Sequence, residues 1–361
     1  MSSLISKVDY LIIGQGLAGS ILSWTLQQHK QSFLIIDNHY QNAASQVGAG
    51  LINYISGKRL TLTWEAQTLI PFAKKFYTTI ETQLNTSFFK PLTEIRFLMT
   101  PEEENYAKKR LKDPKFKPYL STITSNPTSP FKQVTINQSS ILNIPQFLNA
   151  LHHNFTKNNQ LIQSQMNWSQ LCQTNQGIEY HYKNKKIKAK NLILCVGSKL
   201  TETPWFSNIH YRLAKGETIT IKIPQNQSTQ IYNFGKWLIP FNNHWRLGAT
   251  YEWNELNHTP TLKGKKELLD NLNKAHFLSS QITDTDIINH QAAIRCIVPD
   301  NAPIIGTHPH YKHIHVLGGL GSKGVMIAPY YAQQLVNHLL KKDPLPPHVD
   351  CKRLIETIKS N

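Results

Sequence analysis

Several things are scarce in this sequence, and each scarcity excludes a class. No apolar run reaches the roughly 18 residues a membrane-spanning helix needs, so no membrane partner is expected. The four cysteines (Cys172, Cys195, Cys296, Cys351) are scattered without a CxxC pair, which argues against a disulfide framework or a zinc knuckle. The opening MSSLISKVDYLIIGQG runs straight from its apolar stretch into a glycine turn and has no small-residue cleavage site. It reads as part of the fold rather than a signal peptide, and a reducing cytoplasm is the expected home. Acidic residues are also few: 22 Asp+Glu stand against 39 Lys+Arg, a formal charge of +17. Two readings fit that excess, a solvated lysine-rich surface or an anionic partner such as RNA. Ser45 and Ser139-Ser140 have no His/Asp partners at a hydrolase spacing.

What is present is a core and a fingerprint. With 361 residues and 40% hydrophobic composition, the chain can bury a large interior, and its length suggests two domains or one with a large insertion. Val8–Ile13 is a short apolar run of strand formers, followed at once by Gly14-Gln-Gly16-Leu17-Ala18-Gly19. Ser20–Gln28 then has apolar residues at helical spacing, and Phe33–Ile36 is a second buried strand ending in Asp37. Gly14 permits the tight turn, Gly16 lets the backbone approach a pyrophosphate, and Gly19 lets the helix pack close. The helix N-terminus presents unpaired N–H groups to phosphate, and Asp37 stands where a carboxylate accepts ribose hydroxyls. At this point NAD and FAD both remain open.

Two later segments favour FAD. Asn191–Ser198 is another buried strand ending in a small-residue turn at Gly197. Near the carboxyl end, His313–Leu317 leads into Gly318-Gly319-Leu320-Gly321-Ser322-Lys323-Gly324 and then a helix-compatible stretch from Val325 to Leu340. Gly319, Gly321 and Gly324 make a second GxGxxG between strand and helix, whose N-terminus suits an anionic reduced flavin. The plainer alternative is a glycine loop that only turns the chain.

Here the motifs resemble a family. Ala44-Ser45-Gln-Val-Gly48-Ala-Gly50-Leu51-Ile52-Asn53, Trp237-Leu-Ile-Pro240 through Trp245-Arg246-Leu-Gly248-Ala249-Thr250, and Ile294-Arg295-Cys296 through Asp300-Asn-Ala-Pro303-Ile-Ile-Gly306 are similar to segments of the D-amino-acid-oxidase/glycine-oxidase family of FAD-dependent oxidoreductases. Within it, Arg295-Cys296, Gly321-Ser322-Lys323-Gly324 and Pro71–Tyr77 most resemble the FAD domain of a bifunctional tRNA enzyme that finishes 5-methylaminomethyl-uridine.

The resemblance implies an α/β fold, a Rossmann-like FAD-binding domain with a mostly antiparallel α+β substrate domain inserted. The expected division is 1–80, 135–205 and 290–361 for the first domain, and 81–134 and 206–289 for the second. It implies FAD held by Gly14, Gly16, Leu17, Ala18, Gly19, Asp37, Ser45, Gly48, Gly50, Leu51, Gly197 and Gly319 through Val325. It implies oxidation of the C–N bond of a small or N-substituted glycine-like amine by hydride transfer to flavin N5, the imine then hydrolysing. Arg295 is the implied carboxylate clamp, with a structural salt bridge as its alternative. Trp237 would wall the pocket or fill the core, and Tyr251 stands just beyond Thr250. Tyr232, Phe234, Trp237, Trp245, Tyr251 and Trp253 could stack bases, but alternating sheet aromatics more often face a core. His308, His310, His313 and His315 have no carboxylate or Cys beside them, and no metal is expected. The alternatives that stay open are removal of the carboxymethyl group from carboxymethylaminomethyl-uridine in tRNA, and a flavin-bound module without turnover.

Overall fold

The computed structural model describes residues 5–38, 43–223, 230–276, 278 and 281–355. The chain divides into two units: Met1–Gln46, Pro145–Leu213 and Arg295–Asn361 form the first, Val47–Ile144 and Ala214–Ile294 the second.

The first unit is built on five parallel strands, in the order Leu161–Gln163, Phe33–Asp37, Ile5–Ile13, Lys185–Leu194, Tyr311–Gly318. The strand Lys185–Leu194 also pairs antiparallel with Gly177–Tyr182 through its first half, and Ile304–His308 lies antiparallel against Tyr311–Gly318. Central strands read as near-continuous apolar runs because both faces are covered. Leu11, Ile12, Leu192, Ile193, Ile314 and Val316 are accordingly inaccessible to solvent. The helix Leu17–Gln28 is buried from Leu17 through Leu26, and it packs against the equally apolar helix Gly324–Lys341. Among the described residues, no helix is long and apolar enough to cross a membrane.

The second unit centres on an eight-stranded sheet, ordered Ile287–Ile297, Arg212–Ile221, His244–Gly248, Trp237–Phe241, Gln230–Asn233, Thr93–Phe97, Gln133–Ile136, Leu120–Thr124. From Arg212–Ile221 onward its pairings are antiparallel except Gln230–Asn233 against Thr93–Phe97. The helix Leu262–Lys274 lays Leu268, Leu269 and Leu272 on Ile219, Phe234, Trp245 and Leu247. A smaller sheet joins Leu51–Ile52, Ser140–Leu142 and Phe89–Pro91. Residues 47–80 and 135–144 therefore cluster with the second unit, whereas the sequence suggested the first. The cause is long-range pairing: Leu51–Ile52 pairs with Ser140–Leu142, and the helix Ala66–Leu84 sets Tyr77 against Phe89.

Candidate functional site

Parallel sheets bind ligands in the loops beyond the carboxyl ends of their strands. In the first unit, three glycine turns occupy that position on the adjacent strands Ile5–Ile13, Lys185–Leu194 and Tyr311–Gly318. At the first, Gly14 has φ +101° and its N–H donates to the Ile36 carbonyl. A β-carbon on Gly14 would lie 2.5 Å from the Cys195 carbonyl oxygen, so the turn fits against the end of the neighbouring strand only as glycine. The backbone N–H of Gln15 donates to Asp37 Oδ2 at 2.7 Å, which draws the acid at the end of the second strand to the glycine turn.

Gly16 caps the helix that follows. No side chain caps this N-terminus, and no acid stands in its first turn. The first N–H groups of an α-helix have no acceptor within the helix, so Leu17, Ala18 and Gly19 present donors to an incoming anion. A recess beside them is lined by Gln15, Gly16, Asp37, Ser45, Leu148 and His152, among others. His152 reaches it from the helix Ile144–Lys157, its Nδ1 hydrogen-bonded to Gln15 Oε1 at 2.7 Å. Gln15 and His152 escaped the sequence reading. Gln15 is a free choice in the fingerprint, and nothing local marks a histidine that the fold brings from 137 residues away.

The second turn carries Gly197 at φ +57°, with open space where its side chain would be. Cys195 N–H donates to the Ile13 carbonyl and holds this turn beside the first. In the third turn, Gly319 and Gly321 have φ +65° and +57°, and Gly321 likewise faces open space. Leu320 bridges to Ile297, and Gly321 N–H donates to the Cys296 carbonyl at 3.2 Å. That ties the loop to the end of the strand bearing Arg295, which is half-buried. Ser322 is exposed and Lys323 caps the next helix through its backbone alone. Gly324 and Val325 are buried, and again no acid occupies the first turn. Two uncapped helix N-termini, backbone left open at Gly197 and Gly321, and one carboxylate suit a dinucleotide's phosphates and ribose.

The remaining expected residues lie in the second unit. Gly50 has φ +72° and packs on the Leu142 carbonyl, while Gly48 offers its carbonyl to Arg246 Nη1 at 3.4 Å. Arg246 is 3% exposed, with its guanidinium carbon 3.5 Å from the Phe241 ring centroid. Burial lowers its pKa to about 10, so it stays charged at neutral pH. Leu51 and Trp237 pack on one cluster with Leu92, Ile141, Ile231 and Ile239. The Trp237 ring covers Gly248, its cross-strand partner, where a β-carbon would lie 2.6 Å from the indole. Tyr251 stands apart from that cluster, 53% exposed and stacked on Trp253. Phe234 and Trp245 belong to the core instead.

Beneath Asn53, the fully buried Glu94 accepts hydrogen bonds from Asn53 Nδ2 (2.9 Å), Asn233 Nδ2 (2.9 Å) and Ser139 Oγ (3.3 Å). Desolvation raises its pKa despite these donors. Two of the histidines near the carboxyl end, His308 and His315, are engaged in the fold through their rings. His308 Nε2 bonds the Trp205 carbonyl, and His315 bridges Asn191 Oδ1 and Thr307 Oγ1. Among the described residues, no cluster of three or more His, Cys, Asp or Glu could hold a metal.

Known proteins share this fold. Glycine oxidase from Geobacillus kaustophilus superposes with a TM-score of 0.78 at 15% identity, covering 94% of this chain and 96% of that one. Iminodiacetate oxidase from Chelativorans sp. BNC1 gives a TM-score of 0.75 at 17% identity over 94% and 98%. In sequence, the tRNA 5-methylaminomethyl-2-thiouridine biosynthesis bifunctional protein MnmC of Marinobacter nauticus is 24% identical over 185 residues. That match takes in 48% of this chain and 29% of the relative, less than a third of its length. The DAO family, FAD dependent oxidoreductase, matches residues 9–338. The chain belongs to this family, and FAD is its cofactor.

Proposed function

We propose that this oxidoreductase oxidises the C–N bond of a small or N-substituted glycine-like amine. The observation that carries the reading is the tether between the strand bearing Arg295 and the third glycine turn, through Cys296 and Ile297. The tether brings the backbone next to Arg295 to the loop assigned to the flavin, and a guanidinium fork in use there would match a substrate carboxylate bidentately. When bound, FAD supplies the two-electron acceptor for the C–H next to nitrogen.

The chain's own work is binding and orientation. Gly16, Leu17, Ala18 and Gly19 would hold the pyrophosphate, Asp37 the ribose hydroxyls, and Gly321 through Val325 the flavin's polar edge. Arg295 would fix the carboxylate and thereby aim the α-carbon. An apolar wall that keeps water from the imine would complete the site. Four free thiols, three of them buried, support a reducing compartment such as the cytoplasm.

The relative named for tRNA biosynthesis favours a second reading. A carboxymethylaminomethyl group on uridine is itself an N-substituted glycine, so the same clamp and acceptor would remove its carboxymethyl carbons. Anaerobic bleaching of the bound flavin decides between them. Glycine, sarcosine and D-alanine form one arm, and tRNA carrying the group forms the other. Bleaching by the small amines alone supports the first reading, and bleaching by tRNA alone the second. Under either, Arg295→Ala raises KM for the carboxylate-bearing substrate by about 10–100-fold, the worth of a charge-assisted pair. An unchanged KM refutes the clamp.

A further inference from the structure

The second unit holds a concentrated positive surface that the oxidation chemistry does not use. The helix Pro101–Leu111 ends in Lys108, Lys109 and Arg110. Lys112, Lys115 and Lys117 follow on and around the 3₁₀ turn Pro114–Phe116. Lys58 and Arg59 lie on a neighbouring turn, joined to the helix by a hydrogen bond from Arg110 Nε to the Arg59 carbonyl at 3.4 Å. Tyr54 and Tyr119 stack at 4.3 Å between ring centroids, which fixes the two segments against each other. Within the segments 58–59 and 108–117 the eight cations stand against one carboxylate, Asp113, an excess of +7 within a total of +17, while the helix keeps its three glutamates, Glu102 to Glu104, in its first turn. Asp113 is already engaged, accepting the backbone N–H of Lys115.

Two features separate this patch from an ordinary solvated face. Some lysines elsewhere find acids: Lys186 and Lys188 pair with Glu179, Lys190 with Asp9, Lys132 with Glu104, Lys236 with Glu267 and Lys265 with Asp284. Others, such as Lys30 and Lys185, form no ion pair among the described residues but stand singly or with acids nearby in the chain. Among the described residues, none of the eight forms an ion pair, although seven of them are exposed and mutual repulsion opposes gathering them. The helix dipole accounts for the cations at its C-terminus, Lys108 through Arg110 and the C-cap Lys112, but not for the four on other elements. Along the helix and the 3₁₀ turn the patch also lacks an apolar anchor, the exposed Trp64 standing on the segment beyond Arg59. None of the exposed large hydrophobic residues lies between positions 100 and 120, and Phe116 is buried beneath the Arg110 guanidinium. A helix that inserts into a membrane surface carries apolar side chains beside its charge.

We propose that this surface binds the phosphate backbone of RNA and docks a tRNA-borne substrate on the enzyme. The proposal rests on the second reading above. Six of the eight cations are lysines, point charges that suit phosphate oxygens rather than the bidentate edge of a base. Binding at this patch is therefore tolerant of sequence and steeply dependent on salt.

The test measures RNA binding by the flavin-loaded, full-length protein, without turnover. The probes are a fluorescein-labelled, unmodified RNA hairpin and a hairpin of shuffled sequence, titrated from low to physiological salt. The patch variant carries Lys108→Ala, Lys109→Ala, Lys112→Ala, Lys115→Ala and Lys117→Ala. A control variant removes the same charge elsewhere, by Lys30→Ala, Lys183→Ala, Lys185→Ala, Lys312→Ala and Lys341→Ala. The expected result is equal affinity for the two hairpins, and about 10–100-fold weaker binding by the patch variant than by the control. The log–log salt slope of the patch variant becomes shallower by about 3–4, near 0.9 for each lost phosphate contact. Equal weakening in both variants would mean diffuse charge and overturn the site. So would an unaffected patch variant, or phosphatidylglycerol vesicles that displace the hairpin and bind through the same lysines. Flavin content and bleaching by small amines, measured on the same variants, stay at wild-type values whether or not RNA binds. A failed docking surface is thus distinguishable from a failed oxidase reading.

Discussion

Gly14 and Gly16 stand two residues apart in one turn, and the structure gives them different duties that substitution can separate. A methyl group on Gly14 would meet two backbone atoms of Cys195, the carbonyl oxygen at 2.5 Å and its carbon at 3.0 Å, from a backbone already at φ +101°. Neither obstacle is a side chain that can rotate away. Both belong to the end of the strand Lys185–Leu194, which parallel pairing with Ile5–Ile13 holds in register over its whole length. The positive φ costs a non-glycine residue about 1–2 kcal/mol, and overpacking against fixed backbone adds about 1–3 kcal/mol. Gly14→Ala is therefore expected to lose about 2–5 kcal/mol of stability, which lowers the melting temperature of a chain this long by roughly 3–7 °C. At Gly16 the backbone has φ −70°, and the nearest neighbour of a new methyl is the rotatable Ser45 hydroxyl at 3.2 Å. Gly16→Ala should melt within about 2 °C of wild type as the apoprotein, yet purify with little FAD, because its methyl occupies the approach of the pyrophosphate. Melting of the apoproteins, beside flavin content and FAD titration, reads the two duties separately. Equal melting of both variants, or full flavin occupancy in Gly16→Ala, would refute the division.

Three further outcomes follow from the buried polar groups. Glu94→Ala strands Asn53 Nδ2, Asn233 Nδ2 and Ser139 Oγ without their shared acceptor. Chemical denaturation should register a loss of about 3–5 kcal/mol, and a loss below about 1 kcal/mol would show that the network relaxes freely. Burial depresses the His315 pKa to about 3, so below pH 6.5 the unfolded chain binds a proton that the folded one refuses. Stability should thus fall on acidification from about pH 6.5 towards pH 3, with a limiting slope near 1.4 kcal/mol per pH unit from this residue. The pH profile of His315→Gln, subtracted from that of the wild type, isolates the slope. Burial pushes the thiols of Cys195, Cys296 and Cys351 upward, Cys296 to about 12, while Cys172 is exposed. Alkylation of the native protein followed by mass spectrometry should therefore modify Cys172 alone.

How much of this was legible in the sequence depends on the range of the interaction that made each feature. The strand, glycine turn, helix, strand and acid from Val8 to Asp37 form a local pattern, and the structure returns it nearly residue for residue. The same holds for the second glycine loop and the helix Gly324–Lys341, because the apolar run and the glycines are contiguous. What local pattern cannot carry is the choice of partner across the chain. Gly48 through Leu51 belongs to a stretch that resembles a flavin-binding segment and is expected in the first domain, yet Leu51–Ile52 pairs with Ser140–Leu142 about 90 residues on, and that pairing takes the stretch from Val47 into the second unit. His152 is one of two adjacent histidines on an amphipathic helix, and only tertiary packing turns its ring towards Gln15. The aromatics show the limit most plainly. Alternation gives Phe234, Trp237, Trp245, Tyr251 and Trp253 the same standing, and it holds only as long as the strand does. Phe234 and Trp245 enter the core and Trp237 settles on Gly248, but the strand ends at Gly248, so Tyr251 and Trp253 stack on each other, half-exposed. The eight cations at 58–59 and 108–117 follow the same rule: dispersed lysines in sequence become one surface once Arg110 meets the Arg59 carbonyl.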